Sequence, residues 1–403
     1  MNKLLSKTVI AAIAVVFAAG LAWTGSAMAG FHGIERLPDG KIFKPVFWGF
    51  GGGDEKKAAP AVREYEIHDD DAFKEQSRSY GMMPFAKAEL EYEIYIPKNW
   101  TEAEVIDASP EHGTRNAIVS KLALYKSPMI GTFWLETQID AKKLEHEISA
   151  EHWLKNYILS SGYTPDGEVE AHGLKSASGK YIATGSPAAP SSSEYVTARI
   201  SGNWVLLSTC RLPLHLRDYA KYIQKKICDT FKIIYPKADP IEDQKIFTLV
   251  DSIKFTYPNS WSVKATDFRN MNHLVVHLEN KGFSISIEGF IQFVAVRRSR
   301  STDLTTEIIE QRKYFDEILK LDVVKMLSSG KAPVYDRFNF NRYEVYDMAQ
   351  QKNKDAVQEV HMVALGDKEW YIFGYLFTPK EASNLYNWAR NVQTFQEVMK
   401  SIK

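Results

Sequence analysis

The chain of 403 residues has two cysteines, no net charge and, beyond residue 23, no apolar run long enough to cross a bilayer. Each shortage excludes something. Two cysteines cannot build a disulfide-dense scaffold, and alone they make a poor metal site. The 50 basic and 50 acidic residues cancel, which removes the electrostatic drive toward nucleic acid or an anionic membrane. The lack of later apolar runs leaves no transmembrane span beyond the N-terminal region. Catalytic signatures are missing too. No G-x-S-x-G elbow or H-E-x-x-H motif occurs, and the glycines from Gly49 to Gly53 lack the Lys-Ser/Thr of a phosphate-binding loop. No catalytic residue and no cofactor is expected. What is present, 45% hydrophobic and 25% charged residues, is the composition of globular domains, at a length suited to two or three of them.

The N-terminus carries the most specific local signal. Lys3 and Lys7 precede an uncharged, mostly apolar run from Thr8 to Trp23, and Ala27-Met28-Ala29 supplies the small residues that a signal peptidase reads. Residues 1–29 are expected to be a secretory signal cleaved after Ala29. An uncleaved anchor is the alternative, since no charge intervenes between Lys7 and Glu35. Cleavage removes Lys3 and Lys7, so 48 basic residues face 50 acidic ones and the net charge becomes −2. The mature chain is expected in the periplasm, without a membrane span. In that oxidising compartment Cys210, at a strand end, and Cys228, in the following helix, form either a disulfide or two small buried thiols.

Residues 30–84 show no sustained period of 2 or 3.6 and are expected to form a flexible arm, with a short helix near 72–79. Phe47, Trp48 and Phe50 lie among glycines, an arrangement suited to docking a partner. The charged run from Glu64 to Asp71 reads as a solvated acidic stretch, since His68-Asp69-Asp70-Asp71 lacks calcium-loop spacing.

The remainder repeats. Tyr92-Glu-Ile-Tyr-Ile-Pro97-Lys-Asn-Trp100 matches Ile253-Lys-Phe-Thr-Tyr-Pro258-Asn-Ser-Trp261, and 258 − 97 and 261 − 100 both give 161. That offset also carries Leu122 and Leu124 onto Phe283 and Ile285, and Leu154, Tyr157 and Ile158 onto Phe315, Ile318 and Leu319. It then widens, pairing Tyr181 with Tyr343, Trp204 with Trp370, Pro213 with Pro379 and Tyr219 with Tyr386. Each copy opens with an alternating strand that stops at a proline. Further strands follow, then a helix near 142–160 or 304–322, two strands through Trp204 or Trp370, and a closing helix from Pro213 or Pro379. Thr378-Pro-Lys-Glu381 reads as a capping box. The fold class is α+β: two tandem units, 85–235 and 247–403, each an antiparallel sheet with helices on its faces. Pro236-Lys-Ala-Asp-Pro240 breaks both periods and places a linker at 236–246.

The order "alternating strand, Pro, two residues, Trp", with a mid-unit helix, a late Trp and a closing helix, resembles the superfold shared by PsbP, Mog1 and DcrB. The resemblance rests on Ile96-Pro97-x-x-Trp100 and Tyr257-Pro258-x-x-Trp261 and spans each copy. It implies an antiparallel sheet flanked by helices and a non-enzymatic role in binding or assembly. It supplies no catalytic residue.

Other candidate sites are sparse. His273 and His277 would share one face of a strand and form a weak metal pair. Glu145, His146, Glu147, Glu151 and His152 read as the wet side of the mid-unit helix. Arg297, Arg298 and Arg300 form the sharpest basic cluster, suited to an acidic partner or simply to solvent. Trp134 and Trp388 have no counterpart in the other copy and are interface candidates. The expected function is a periplasmic, non-catalytic protein-binding or assembly factor for envelope proteins, for example an accessory subunit of a secretion system. The alternatives are a carrier of a small ligand, lipid or metal, and a hydrolase of envelope polymers. The intact mass of the exported chain checks the first step: it should correspond to a start at Gly30, whereas the mass of the whole chain would report an anchor.

Overall fold

The structure is a computed structural model that describes residues 65–81, 88–105, 119–185, 190–249, 253–270, 273–281, 287–300, 303–331, 338, 340–366 and 368–403. Cleavage after Ala29 and the aromatics Phe47, Trp48 and Phe50 lie outside the described residues.

The first unit begins with helix α1 (Asp70–Gln76) and strands β1 (Ser77–Gly81), β2 (Tyr92–Pro97) and β3 (Thr101–Ala103). Next come β4 (Val119–Lys126), β5 (Glu136–Lys143) and helix α2 (Ala150–Ser160). It closes with β6 (Thr164–Pro165), β7 (Glu170–Ala171), β8 (Ser176–Ala183), β9 (Ser192–Ser201), β10 (Trp204–Pro213), helix α3 (Lys221–Thr230) and β11 (Lys232–Ile233). The second unit runs β12 (Gln244–Leu249), β13 (Ile253–Pro258), β14 (Trp261–Asn270), β15 (His273–Lys281), β16 (Ile287–Arg297) and helix α4 (Leu304–Glu317). Then follow β17 (Leu321–Gly330), β18 (Phe340–Gln350), β19 (Asn353–Gly366), β20 (Trp370–Thr378) and helix α5 (Leu385–Ser401).

The two main sheets have matching strand orders, β3-β4-β5-β10-β9-β8-β6 and β14-β15-β16-β20-β19-β18-β17, and every pairing is antiparallel. Outside each main sheet, the alternating opening strand pairs with its predecessor, β2 with β1 and β13 with β12. The chain is therefore two tandem α+β units. Tyr92, Ile94 and Ile96 are buried on one face of β2, and Ile253, Phe255 and Tyr257 on that of β13, as a period of 2 demands. Trp100 and Trp261 are both buried, and Trp204 and Trp370 both open the strand at the centre of a main sheet. The repeated tryptophans serve the fold.

Each main sheet is apolar on both faces and carries a helix on each. In the first unit α3 and the small sheet close one face around Trp100, Ile139 and Leu206, while α2 covers the other around Leu154, Val196 and Leu207. In the second, α5 and β13 pack on Trp261, Ile291 and Leu376, and α4 packs on Val294, Phe373 and Phe377. Helix α5 lies so close that a Cβ on Gly374 would come within 2.5 Å of Met399 Sδ, which explains a glycine in mid-strand.

Several expectations change. Residues 65–81 belong to the first unit and not to a flexible arm. Tyr65, Ile67 and Phe73 enter its core, β1 pairs along β2, and the Tyr65 hydroxyl accepts from Trp100 Nε1 at 3.2 Å. The acidic run disguised this, because its charges have partners: Asp69 caps α1 through Ala72 N, and Asp70 meets Lys226 Nζ at 2.7 Å and the Tyr222 hydroxyl of α3. The mid-unit helix of the first copy begins at Ala150, capped by Ser149, so residues 144–149 are a loop. The closing helix is capped by Asn384 and not by Thr378, which ends β20 and whose buried hydroxyl accepts from Asn391 Nδ2 at 3.0 Å. The strand in the place of β4 is β15, and residues 283 and 285, matched to Leu122 and Leu124 by sequence, lie outside the described residues.

Cys210 and Cys228 are free and fully buried. The Cys228 thiol donates to the carbonyls of Tyr195 and Ser208, each at 3.3 Å. Burial pushes the Cys210 thiol up to about 12 and Cys228 well above its ordinary range, so neither is an activated thiolate. A thiol reagent added without reductant should find no thiol on the native chain and two per chain after denaturation; none in both states would report a disulfide.

Candidate functional site

The two units are built alike, so their differences locate what is specific to this chain. One difference lies between the mid-unit helix and the last strand of each main sheet. In the second unit α4 leaves the outer end of its sheet face uncovered, and a cavity of about 620 Å³ opens there. Phe315 of α4, Leu321, Val323 and Met326 of β17, Tyr346 and Met348 of β18, and Val360 and Met362 of β19 form its apolar lining. Three of these side chains are methionines, which adapt to occupants of varied shape.

One end of the cavity is polar. Glu344 of β18 is fully buried and holds both Arg312 and Arg342. Arg312 Nη2 reaches its two carboxylate oxygens at 3.0 and 2.9 Å and also donates to the Tyr346 hydroxyl at 2.9 Å. Burial alone would raise the Glu344 carboxyl, but the hydrogen bonds from Tyr346 and Arg312 outweigh it and hold the group below its ordinary value. Two guanidiniums on one carboxylate leave one positive charge in excess at this end, on side chains that are close to half exposed. At the other end, Gln351 Nε2 donates to Asp316 and Asp322 at 2.8 and 3.0 Å.

The first unit fills the corresponding space itself. Trp153 and Tyr157 of α2 stack at 5.4 Å, and Tyr163 stacks on Tyr181 at 4.6 Å. Lys142 Nζ sits 4.1 Å above the Tyr157 ring. The sheet edge there is reduced to the two-residue strands β6 and β7. The buried Glu194 takes the Tyr181 hydroxyl and Arg211 Nε, each at 2.7 Å, and a ladder of charge runs on from Arg211 to Glu136 and Lys126. Trp134, an interface candidate from the sequence, is exposed beside this ladder with Lys126 Nζ 4.6 Å from its ring.

The residues singled out from sequence are scattered. His273 and His277 lie on β15; His277 is buried, packed 5.3 Å from the Phe290 ring. Among the described residues no group of three or more His, Cys, Asp or Glu is placed to hold a metal ion. Arg297 and Arg298 are exposed at the end of β16, stacked on Trp370 and Tyr371 at 5.2 Å each. Arg300 follows in a short 3₁₀ turn. None of these reaches the cavity.

Sequence reasoning also missed the seam between the units. Glu147 lies in the loop before α2, buried, and its carboxylate accepts from the backbone of Ile241 at 2.6 Å and of Glu242 at 3.1 Å. The Glu242 carboxylate returns the contact, accepting from Glu147 N at 3.2 Å and Ser260 N at 3.0 Å. Lys175 Nζ donates to the carbonyls of Lys237, Ala238 and Asp239, pinning the connecting segment. Ala389 of α5 is buried in the first unit's core, and Trp388 packs edge-on against His152 at 5.2 Å while donating to Glu359 at 2.6 Å. Trp388 thus lies in the contact between the two units.

Glu397 of α5 faces this acidic seam. Burial raises its carboxyl from 4.5 to about 7, with Glu147 and Glu242 adding to the shift and Gln393 opposing it. Its folded value is the higher one, so its contribution to stability is complete below about pH 4.5 and lost as pH rises through 7. Discounted for the side chain's partial exposure, the loss is on the order of 2 kcal/mol. Glu397→Gln should flatten the fall in melting temperature across that window; an unchanged slope would remove Glu397 as the cause.

No family model matches the chain, and no curated protein does. Among solved structures it is similar to the Ran-binding protein Mog1p of Saccharomyces cerevisiae, at 11% identity, over 40% of this chain and 95% of that one, with a TM-score of 0.30. It is similar to the cyanobacterial PsbP of Synechocystis at 10% identity, over 39% and 92%, with a TM-score of 0.29. The immunity protein TplEi of the Pseudomonas aeruginosa T6SS is similar at 13% identity, over 77% of this chain and 94% of its own, with a TM-score of 0.22.

Proposed function

We propose that this chain is an exported, non-catalytic binding protein of the cell envelope whose second unit takes an apolar group of another molecule into the cavity between α4 and β17–β19. One observation carries this: the first unit fills that space with its own Trp153, Tyr157, Tyr163 and Tyr181, and the second leaves it open. The Lys3/Lys7, Thr8–Trp23 and Ala27-Met28-Ala29 pattern supports export. Among the described residues no helix is long and apolar enough to cross a membrane. A protein partner is the first choice of occupant. The excess guanidinium charge at the Arg312/Arg342 end favours, as a second choice, a small amphiphile with an anionic head.

The hydroxyl, imidazole and carboxylate of Tyr343, His361 and Glu359 are the closest approach to a catalytic series, with Tyr343 Oη and Glu359 Oε1 each 2.5 Å from the His361 ring. They lie on the α5 face of the sheet, opposite the cavity, and Trp388 occupies the same carboxylate oxygen. Their place is in the seam.

Dodecanoate, an apolar chain with one carboxylate, is a direct probe of the cavity. Calorimetric titration into the full chain should show one site, and Met362→Trp, which fills the cavity from β19, should weaken binding by about tenfold or more. Binding that Met362→Trp leaves unchanged would place the probe elsewhere and defeat the proposal.

A further inference from the structure

The strand that forms one wall of the cavity is also the open edge of its sheet. Among the described residues β17 pairs with β18 and with no other strand, so the backbone groups along its outer side have no sheet partner. Such an edge is a template for another strand, and native proteins blunt it with short strands, proline, bulges or charge. The first unit does so, with the two-residue β6 ending in Pro165. The second unit instead extends its edge over ten residues, interrupted by two register irregularities and, between Val323 and Gly330, by one charge, Lys325, but with neither a proline nor a shortened strand.

The side chains on this edge are poor choices for a surface left in water. Val323, Val324, Met326 and Leu327 are 56%, 58%, 51% and 42% exposed. The register skips Val324 and Leu327, at irregularities between Val323 and Lys325 and between Met326 and Ser328. Both apolar residues are therefore spare to the pairing with β18. Lys325 is the one charge between Val323 and Gly330. Val323 and Met326 line the cavity as well, so edge and cavity form one continuous apolar surface.

From this continuity we infer that the occupant is an extended segment of a partner protein, which adds to β17 as a further strand and places an apolar side chain in the cavity. This rests on the proposed use of the cavity and names what enters it. Strand addition supplies affinity through main-chain hydrogen bonds and specificity through pockets that take alternate side chains, which is what a free edge beside a methionine-lined cavity offers. The segment is apolar at alternate positions. At the end nearest Arg312 and Arg342 it carries an Asp, a Glu or a free C-terminal carboxylate, to meet the excess guanidinium charge.

The test is a displayed library of random peptides selected on the immobilised full chain, followed by synthesis of the enriched sequences. Apolar residues at every second position with an acid toward one end are expected. The bound peptide should slow hydrogen exchange along Leu321–Gly330, and N-methylation of alternate peptide amides should weaken binding by about tenfold or more. Val324→Lys with Leu327→Lys should do the same, at exposed positions outside the β18 register. Peptides without alternation, or indifferent to N-methylation, would overturn strand addition; if dodecanoate still fills the cavity, the cavity proposal stands without it. Failure of both probes removes both proposals. A concentration-dependent dimer abolished by the lysine pair would show instead that a second copy of this chain covers the edge, and would also overturn the inference.

Discussion

A sheet that is apolar on both faces must be covered on both, and the rest of this molecule follows from how its two sheets meet that demand. On one face the solution is the same twice. A closing helix and a small paired sheet sit over the central strands, with Trp100 or Trp261 buried beneath. On the other face the two units part company. Helix α2 is completed by stacked aromatics that fill the space to the sheet edge, whereas α4 stops short and leaves a cavity beside a long edge strand. Leaving apolar surface open costs free energy in proportion to its area, so an unfilled face in one copy of a duplicated design is a feature to be explained by what occupies it.

The seam between the units depends on the same covering helices. Helix α5 turns one side of its first half toward the first unit, where Ala389 and Trp388 pack against α2 and its neighbours. Glu147 and Glu242 then cap one another's backbones across the junction. Buried carboxylates are stabilised by such hydrogen bonds only as far as their charge is met. His146 lies 3.5 Å from Glu242, and burial still leaves the carboxyls of Glu147 and Glu397 above their ordinary values. The junction is thus well bonded but sensitive to protons, and the cavity lies away from it on the α4 face.

Much of the architecture was legible in the sequence because it is written in local periodicity. The alternation at 92–96 and 253–257, the prolines that end those strands and the paired tryptophans all report burial on one face of a strand, which a period of 2 encodes directly. What escaped was decided by contacts distant in sequence. Asp70 in an acidic run looks solvated until Lys226 and Tyr222 are brought beside it. Glu147 looks like the wet side of a helix because the apolar spacing runs back to 142, whereas the helix starts at Ala150. The cavity left least trace. Its lining comes from α4 and three strands that all read as ordinary apolar segments, and its existence depends on where a helix stops over a sheet. Val323-Val324-Lys325-Met326-Leu327 was the one available signal, an apolar run with neither a clean period of 2 nor a helical stripe.

The cavity between α4 and β17–β19 is the proposed place where this chain meets another molecule. Methyl NMR of the full chain with labelled methionines tests that most directly, because Met326, Met348 and Met362 line the cavity and Met399, on α5, packs against the opposite face of the sheet. Addition of a selected peptide or of dodecanoate should shift the first three resonances together and leave Met399 in place. Shifts confined to Met399, or no shift at any of the three, would contradict it.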